Sequence, residues 1–119
     1  MDSCLKAAIA AARSAAVEIL RYYRGDFEVE IKSDQTPVTV ADRKAEEIIR
    51  EILLGEFPDH GFYGEEGGKE HADAEYLWLV DPIDGTKSFV GGYGMFSTQI
   101  ALMHRGRLLL GVSCAPAAG

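Results

Sequence analysis

Apolar residues recur at helical spacing in two parts of the chain and predict two amphipathic α-helices. The first begins at a cap on Asp2 or Ser3 and ends at Gly25. Its buried stripe is expected to consist of Leu5, Ala8, Ile9, Ala12, Ala16, Ile19 and Leu20. The second begins near Thr39 and is closed by Gly55 and Pro58. Its expected stripe is Ala45, Ile48, Ile49, Ile52 and Leu53.

Shorter apolar runs between turn residues predict β-strands. Alternation over residues 26–32 indicates one strand, and the four apolar residues 77–80 are typical of a buried one. Residues 96–103 and 107–112 are predicted to pair as a hairpin. The last strand would leave a sheet edge for further sequence or another subunit to cover. Helices mixed with strands and a hairpin predict a layered α+β fold.

Two carboxylates three residues apart follow the run 77–80, in the sequence Asp81-Pro-Ile-Asp84-Gly-Thr86. Because proline continues strands and helices poorly, we expect the chain to turn there. Gly85 permits close approach of a ligand, and a helix capped by Asp84 would offer the N–H groups of Gly85 and Thr86 to a phosphate. An ordinary turn is the alternative, since Asp, Pro and Gly all favour turns.

A second acidic segment, residues 64–68, has Glu65 and a second glutamate between glycines. By itself it would be a solvated loop. With Asp81 and Asp84, however, Glu65 forms a set of hard oxygen ligands without histidine or cysteine, which favours magnesium, calcium or manganese over zinc. Since carboxylates repel an anion, bound cations must reverse the local charge before a phosphate enters. We therefore expect a magnesium and phosphate site.

Composition narrows the class of partner. The 119 residues include 19 acidic and 12 basic side chains, a formal net charge of −7, and no basic cluster that would suit nucleic acid. No apolar run approaches the roughly 20 residues of a membrane span, and no secretion signal is recognisable. We expect a cytoplasmic protein with a small-molecule partner, neither nucleic acid nor membrane. Cys4 and Cys114 fit reduced, partly buried thiols, and His60, His71 and His104 fit surface positions.

Three motifs occur in order along the chain: Lys32-Ser-Asp-Gln-Thr-Pro37-Val-Thr-Val-Ala-Asp42, Gly64-Glu65-Glu66, and Trp78-Leu-Val-Asp81-Pro-Ile-Asp84-Gly-Thr86. Their order and spacing resemble the lithium-sensitive, magnesium-dependent inositol monophosphatase family. The resemblance reaches from the first helix to about Pro116 and implies an αβαβα sandwich, of which this chain would be the N-terminal half. Residues 84–89 and 96–102 look most like its histidinol-phosphate phosphatase branch.

The resemblance implies a set of metal ligands. Two or more Mg²⁺ ions, with Mn²⁺ as an alternative, would be bound by Glu65, Asp81, the Ile83 carbonyl and Asp84. Paired metals about 4 Å apart activate an attacking water and stabilise the leaving oxygen of an in-line displacement. The implied reaction is hydrolysis of a phosphate monoester without a covalent phosphoenzyme.

The resemblance also implies catalytic and substrate-binding residues. Thr86 and Glu65 would position and activate the water, and Asp42 would hydrogen-bond Thr86. Taken alone, Thr39 and Asp42 fit a helix-capping pair, a role compatible with catalysis. Lys32 would lie on a mobile loop near the metals. The substrate phosphate would be held at Ile83, Asp84, Gly85 and Thr86.

One part of the family pattern is absent. The resemblance implies a further metal-binding aspartate in a C-terminal Trp-Asp-x-Ala-Ala-Gly-like motif, which this chain does not reach by Gly119. We therefore expect residues 1–119 to be a single, incomplete domain of this type. The leading function is a magnesium-dependent phosphomonoesterase acting on histidinol phosphate, with inositol phosphate as second choice. A catalytically incomplete metal-binding or phosphate-binding fragment, and a homodimer joined through the exposed edge, are the alternatives.

Overall fold

The computed structural model describes residues 2–23, 37–64, 68–84 and 97–114. These ranges contain two helices, α1 (Asp2–Tyr23) and α2 (Pro37–Glu56), and five strands: β1 (Gly61–Gly64), β2 (Gly68–Glu70), β3 (Tyr76–Asp84), β4 (Ser97–His104) and β5 (Arg107–Cys114). The α+β class is therefore confirmed. The predicted strand over residues 26–32 lies outside the described ranges.

The five strands form one mixed sheet in the order β2-β1-β3-β4-β5. The β1 and β3 strands are parallel, whereas the other neighbouring pairs are antiparallel. The predicted hairpin is confirmed as β4 and β5. It turns through Arg105 and Gly106, which both have positive φ, as a tight hairpin turn that follows the twist of the strands requires. Neither β1 nor β2 was predicted, because each is shorter than the usual strand.

Both helices pack on one face of the sheet, α1 against β4 and β5 and α2 against β1 and β3. The core between these layers includes four large, fully buried side chains from the strands: Phe62, Trp78, Ile100 and Leu102. Register explains their common face, since Trp78 lies opposite both Phe62 and Leu102. Alternate residues of the same strands, such as Leu79, point to the other face. Tyr63 there is 42% exposed.

The buried stripe of α1 is confirmed at Ala8, Ala12 and Ile19 and differs from the predicted one elsewhere. Leu5 is 40% exposed, whereas three alanines outside the prediction are buried: Ala7, Ala11 and Ala15. Small residues let α1 and α2 approach closely, so the contact between the helices selects the alanine face over the larger side chains. On α2 the prediction is confirmed for Ala45, Ile49 and Leu53, which are fully buried.

The first residue of α2 tests the prediction that Thr39 and Asp42 form a helix-capping pair. The helix begins at Pro37, two residues before the predicted start at Thr39. Proline is favoured in the first turn because its fixed φ suits the helix and its missing N–H is not needed there. Thr39 therefore lies inside the helix, so a capping pair in which Thr39 precedes the first turn is wrong.

The cysteine prediction is confirmed, because Cys4 and Cys114 are free and half-buried. Among the described helices, neither is apolar over enough length to cross a membrane.

An aromatic stack closes the end of the core between α2 and β1. The His60 ring lies between Phe57 and Tyr76, with ring centroids 4.7 and 4.9 Å away. Its Nδ1 accepts a hydrogen bond of 3.1 Å from Nε1 of Trp78. Desolvation lowers the pKa of His60, and the nearby charge of Asp59 opposes that shift only in part. Burial in the stack therefore favours the neutral form of His60.

The predicted surface position of the histidines is confirmed for His71, which is exposed, whereas His60 and His104 are half-buried. His104 stacks on Tyr76 with a centroid distance of 4.5 Å. Its Nε2 lies 2.7 Å from Oε2 of Glu75, and this hydrogen bond lowers the pKa of the exposed Glu75 carboxyl. Aromatic neighbours that are distant in sequence decide the burial of both rings.

The neutral state of His60 predicts a loss of stability in mild acid. Its pKa is lower in the folded than in the unfolded chain, so its contribution is complete above about pH 6.5 and is lost as pH falls through the folded value. We expect the free energy of unfolding, measured by urea denaturation, to fall below about pH 6.5. His60→Gln should remove this slope, and His71→Gln, at an exposed position, should retain it. An unchanged slope in His60→Gln would contradict the assignment.

Candidate metal and phosphate site

The carboxyl ends of the two parallel strands meet at one edge of the sheet. Gly64, the last residue of β1, lies opposite Val80 of β3, and Asp81 follows Val80 directly. The β1 strand therefore ends level with the residue directly before Asp81. Parallel neighbours at a common edge are a frequent place for a ligand in sheets flanked by helices.

A β-bulge separates the two predicted aspartate ligands. Asp81 lies opposite Gln99, and Asp84 lies opposite Ser97. Between these two pairs β3 has two residues, whereas β4 has one. The turn predicted at Pro82 is therefore wrong, since β3 continues to Asp84. Proline is tolerated because Pro82 falls in the bulge, where a residue does not take part in the ladder.

The bulge also changes the phase of the strand. In a regular strand, positions three apart fall in opposite phases of the pleat. With one extra residue between them, Asp81 and Asp84 lie opposite residues that are two apart on β4. The two aspartate positions are therefore in the same phase of the ladder.

Asp42 and Asp81 are the predicted site residues whose side chains the structure describes, and both are half-buried. Their Oδ1 atoms are buried without a hydrogen-bond partner among the described residues, although both aspartates take part in other interactions. Asp81 borders a cavity of about 450 Å³ on the sheet face opposite the helices, with mostly apolar walls that include Leu79 and Leu108.

The other predicted residues are described in part or not at all. Ile83 and Asp84 are described through their backbone in β3, whereas four residues lie outside the described ranges: Lys32, Glu65, Gly85 and Thr86. Within those ranges, no group of three or more His, Cys, Asp or Glu side chains is arranged to hold a metal ion. The ligand set and the catalytic roles remain predictions.

Sequence reasoning missed Glu46, a carboxylate that α2 buries against the end of β1. Glu46 is 3% exposed, and Ala45 and Ile49 on the same helix are fully buried. A Cβ at Gly64 would lie 2.5 Å from each of the Glu46 carboxylate oxygens. One signal in the sequence points to it. Asp42 and Glu46 are four residues apart on one helix, a like-charge pair that is unfavourable without a structural reason.

An ion pair joins the same helix to β2. Nη2 of Arg50 lies 2.7 Å from Oε1 and 3.0 Å from Oε2 of Glu70, and this hydrogen bonding raises the pKa of Arg50. Both side chains are more than a third exposed, so the pair contributes little stability. The ion pair instead fixes where α2 contacts β2, the strand that follows the acidic segment.

The described donor at this edge suits a hard cation. Asp81 on β3 supplies a carboxylate where β1 and β3 end. Oxygen ligands of this kind favour Mg²⁺ or Mn²⁺ over Zn²⁺. The Asp81 carboxylate therefore fits the predicted class of ion.

The sequence matches the model of the inositol monophosphatase family over residues 1–119. It is 46% identical over 101 residues to the bifunctional phosphatase IMPL2 of Arabidopsis thaliana, an alignment of 82% of this chain and 29% of that protein. It is 42% identical over 120 residues to the histidinol-phosphatase of Chlorobaculum parvum, which covers 100% of this chain and 46% of the relative.

Solved structures agree with the sequence match. An inositol monophosphatase from Zymomonas mobilis superimposes with a TM-score of 0.80 at 42% identity, covering 97% of this chain and 44% of the other. The chain thus spans less than half the length of these three similar proteins. With the fold and the sequence in agreement, the chain belongs to the inositol monophosphatase family.

Proposed function

We propose that this chain contributes the metal-binding half of a magnesium-dependent phosphomonoesterase. The observation that carries the proposal is the parallel pairing of β1 and β3. It places Gly64 opposite Val80, so that the last described residue before the predicted ligand Glu65 is paired with the residue directly before Asp81. The common phase of Asp81 and Asp84 across the bulge supports the same ligand set. Glu65, Asp81 and Asp84, with the Ile83 carbonyl, are the proposed ligands.

Each proposed residue has a chemical task. When bound, Mg²⁺ supplies the positive charge that admits a phosphate and favours hydroxide over water. Glu65 and Thr86 orient the attacking water, the Glu65 carboxylate accepts its proton, and Asp42 holds Thr86 by a hydrogen bond. The backbone N–H groups of Gly85 and Thr86 bind the phosphate oxygens. The proposed metal ligands, the residues that orient the water and the phosphate-binding N–H groups would thus act together on one phosphorus atom.

Histidinol phosphate is the favoured substrate. The support is the similarity of residues 84–89 and 96–102 to that branch, together with the name of the Chlorobaculum parvum relative. An inositol monophosphate is the alternative, favoured by the structural similarity to the inositol monophosphatase from Zymomonas mobilis. Both are small phosphate monoesters.

Phosphate release by the 119-residue chain tests the proposal. We expect release from histidinol phosphate in the presence of Mg²⁺, loss of release with a chelator, and loss in Asp84→Asn. Asparagine keeps the volume of the side chain but removes the charge that attracts the cation. Circular dichroism of the variant checks that the fold is retained. Unchanged release in Asp84→Asn would contradict its role as a ligand.

A catalytically incomplete fragment is the second candidate, favoured by coverage of only 46% of the histidinol-phosphatase relative. Calorimetry distinguishes the two functions. Binding of Mg²⁺ and inorganic phosphate without turnover of either substrate at high protein concentration would support the fragment. Turnover that requires Mg²⁺ would exclude it.

A further inference from the structure

We propose that Glu46 is a positioning residue for the acidic segment that follows β1, acting through its contact with Gly64. The inference rests on the proposed function, because the residue after Gly64 is the proposed ligand Glu65. Glu46 acts from the helix side of the sheet, as part of α2, and sets where β1 ends relative to Asp81.

Burial and close contact carry the first step. A carboxylate is costly to remove from water, yet the Glu46 residue is 3% exposed. Both of its oxygens would lie 2.5 Å from a Cβ at Gly64, closer than such atoms can approach. The carboxylate therefore fills the space beside the Gly64 backbone, so a shift of the end of β1 toward α2 would require Glu46 to move. A Cβ at position 64 would likewise displace the Glu46 carboxylate.

Register carries the second step. Gly64 lies opposite Val80 in the parallel pair, one residue before Asp81. A displacement of Gly64 would alter where the chain leaves β1 relative to the end of β3. Because metal ligands tolerate little change in geometry, side chains that hold them indirectly affect metal affinity. Glu46 would hold the proposed ligand Glu65 indirectly, through its contact with Gly64.

A second contact from the same helix supports the assignment. Arg50 lies one turn after Glu46 on the same face of α2 and contacts Glu70 of β2 at 2.7 Å. The β2 strand pairs with β1, and Gly64 lies opposite Gly68. One face of α2 thus contacts both strands that border residues 65–67. This arrangement holds the two ends of the acidic segment on one rigid element.

Calorimetry with Mg²⁺ alone and amide hydrogen exchange test the proposal. We expect Glu46→Ala to weaken Mg²⁺ binding about 10-fold or more and to speed exchange in residues 61–67, because the support for β1 is lost. Glu46→Gln keeps the volume and should have a smaller effect. Glu47→Ala and Glu47→Gln are matched controls at the exposed neighbouring position and should leave both quantities unchanged.

Gly64→Ala tests the same contact from the other side. Since φ at Gly64 is not positive, alanine fits the backbone and the added methyl acts through space alone. We expect the substitution to weaken Mg²⁺ binding in the otherwise unchanged chain. In the Glu46→Ala background the vacated space admits the methyl, so the second substitution should add little. Urea denaturation of each variant separates loss of positioning from loss of folding.

The outcomes separate this inference from the proposed function. If the unsubstituted chain binds Mg²⁺ and Glu46→Ala binds it equally well, Glu46 is not a positioning residue and the proposed function stands. Equal effects of Gly64→Ala in both backgrounds would also overturn the inference. If the unsubstituted chain binds Mg²⁺ no better than Asp81→Asn, the proposed function fails and the inference fails with it.

Discussion

Replacement of Asp81 by asparagine is expected to lower the Mg²⁺ affinity of the chain by more than about 100-fold, since loss of a residue that only supports a ligand already costs roughly 10- to 100-fold. Asp81 ends the regular part of the β3 ladder, opposite Gln99 and directly before the bulge. Asparagine fits the same space but lacks the negative charge that a hard cation prefers. Any Mg²⁺-dependent phosphate release should fall in parallel.

The measurement for Asp81 is Mg²⁺ calorimetry on the 119-residue chain, together with urea denaturation. Asp73→Asn is the matched control, because Asp73 is an exposed aspartate in the connection between β2 and β3. It should bind Mg²⁺ as the unsubstituted chain does. Retention of full affinity in Asp81→Asn would remove Asp81 from the ligand set and would leave the bulge without a role in metal binding.

Trp78→Ala is expected to reduce the free energy of unfolding by about 3–5 kcal/mol, the usual range for truncation of a large aromatic residue in a core. Trp78 is 0% exposed and lies at the centre of the sheet, opposite both Phe62 and Leu102. Its loss also removes the donor that hydrogen-bonds His60 at 3.1 Å. Since small domains have total stabilities of roughly 5–15 kcal/mol, partial unfolding under native conditions would agree with this expectation.

Far-ultraviolet circular dichroism in urea is the appropriate measurement, because Trp78 is the single tryptophan and its fluorescence is lost in the variant. Trp78→Phe keeps much of the apolar volume and should cost less than Trp78→Ala. Val17→Ala is the control, since Val17 is 72% exposed and its truncation should change stability by no more than about 0.5 kcal/mol. A cost for Trp78→Ala as small as that of Val17→Ala would contradict its place in the core.

Local patterns were sufficient for much of the fold. Apolar spacing predicts both helices because a helix presents one side of its surface every 3.6 residues. The hairpin of β4 and β5 was predictable because a two-residue turn ending in Gly106 joins two apolar runs. The motif with Asp81 and Asp84, and its similarity to the family, was also visible in the sequence, since ligands close together in the chain leave a short pattern.

Other features depend on which elements become neighbours. The bulge in β3 is defined by the register with β4, so the motif around Pro82 could be taken for a turn. The contact between α1 and α2 decides which alanines are buried. His60 could be taken for a surface residue because its aromatic neighbour Tyr76 and its hydrogen-bond donor Trp78 lie on another element.

The sequence by itself determined the class of the fold, the two helices, the hairpin and the acidic motif that places the chain in its family, because each is encoded in a short pattern. Only the tertiary structure decided that β1 lies parallel to β3, with Gly64 level with the residue before Asp81. It also decided that α2 buries Glu46 against Gly64. Such relations join residues that are distant in the chain, and packing selects them from many pairings that the local pattern allows equally.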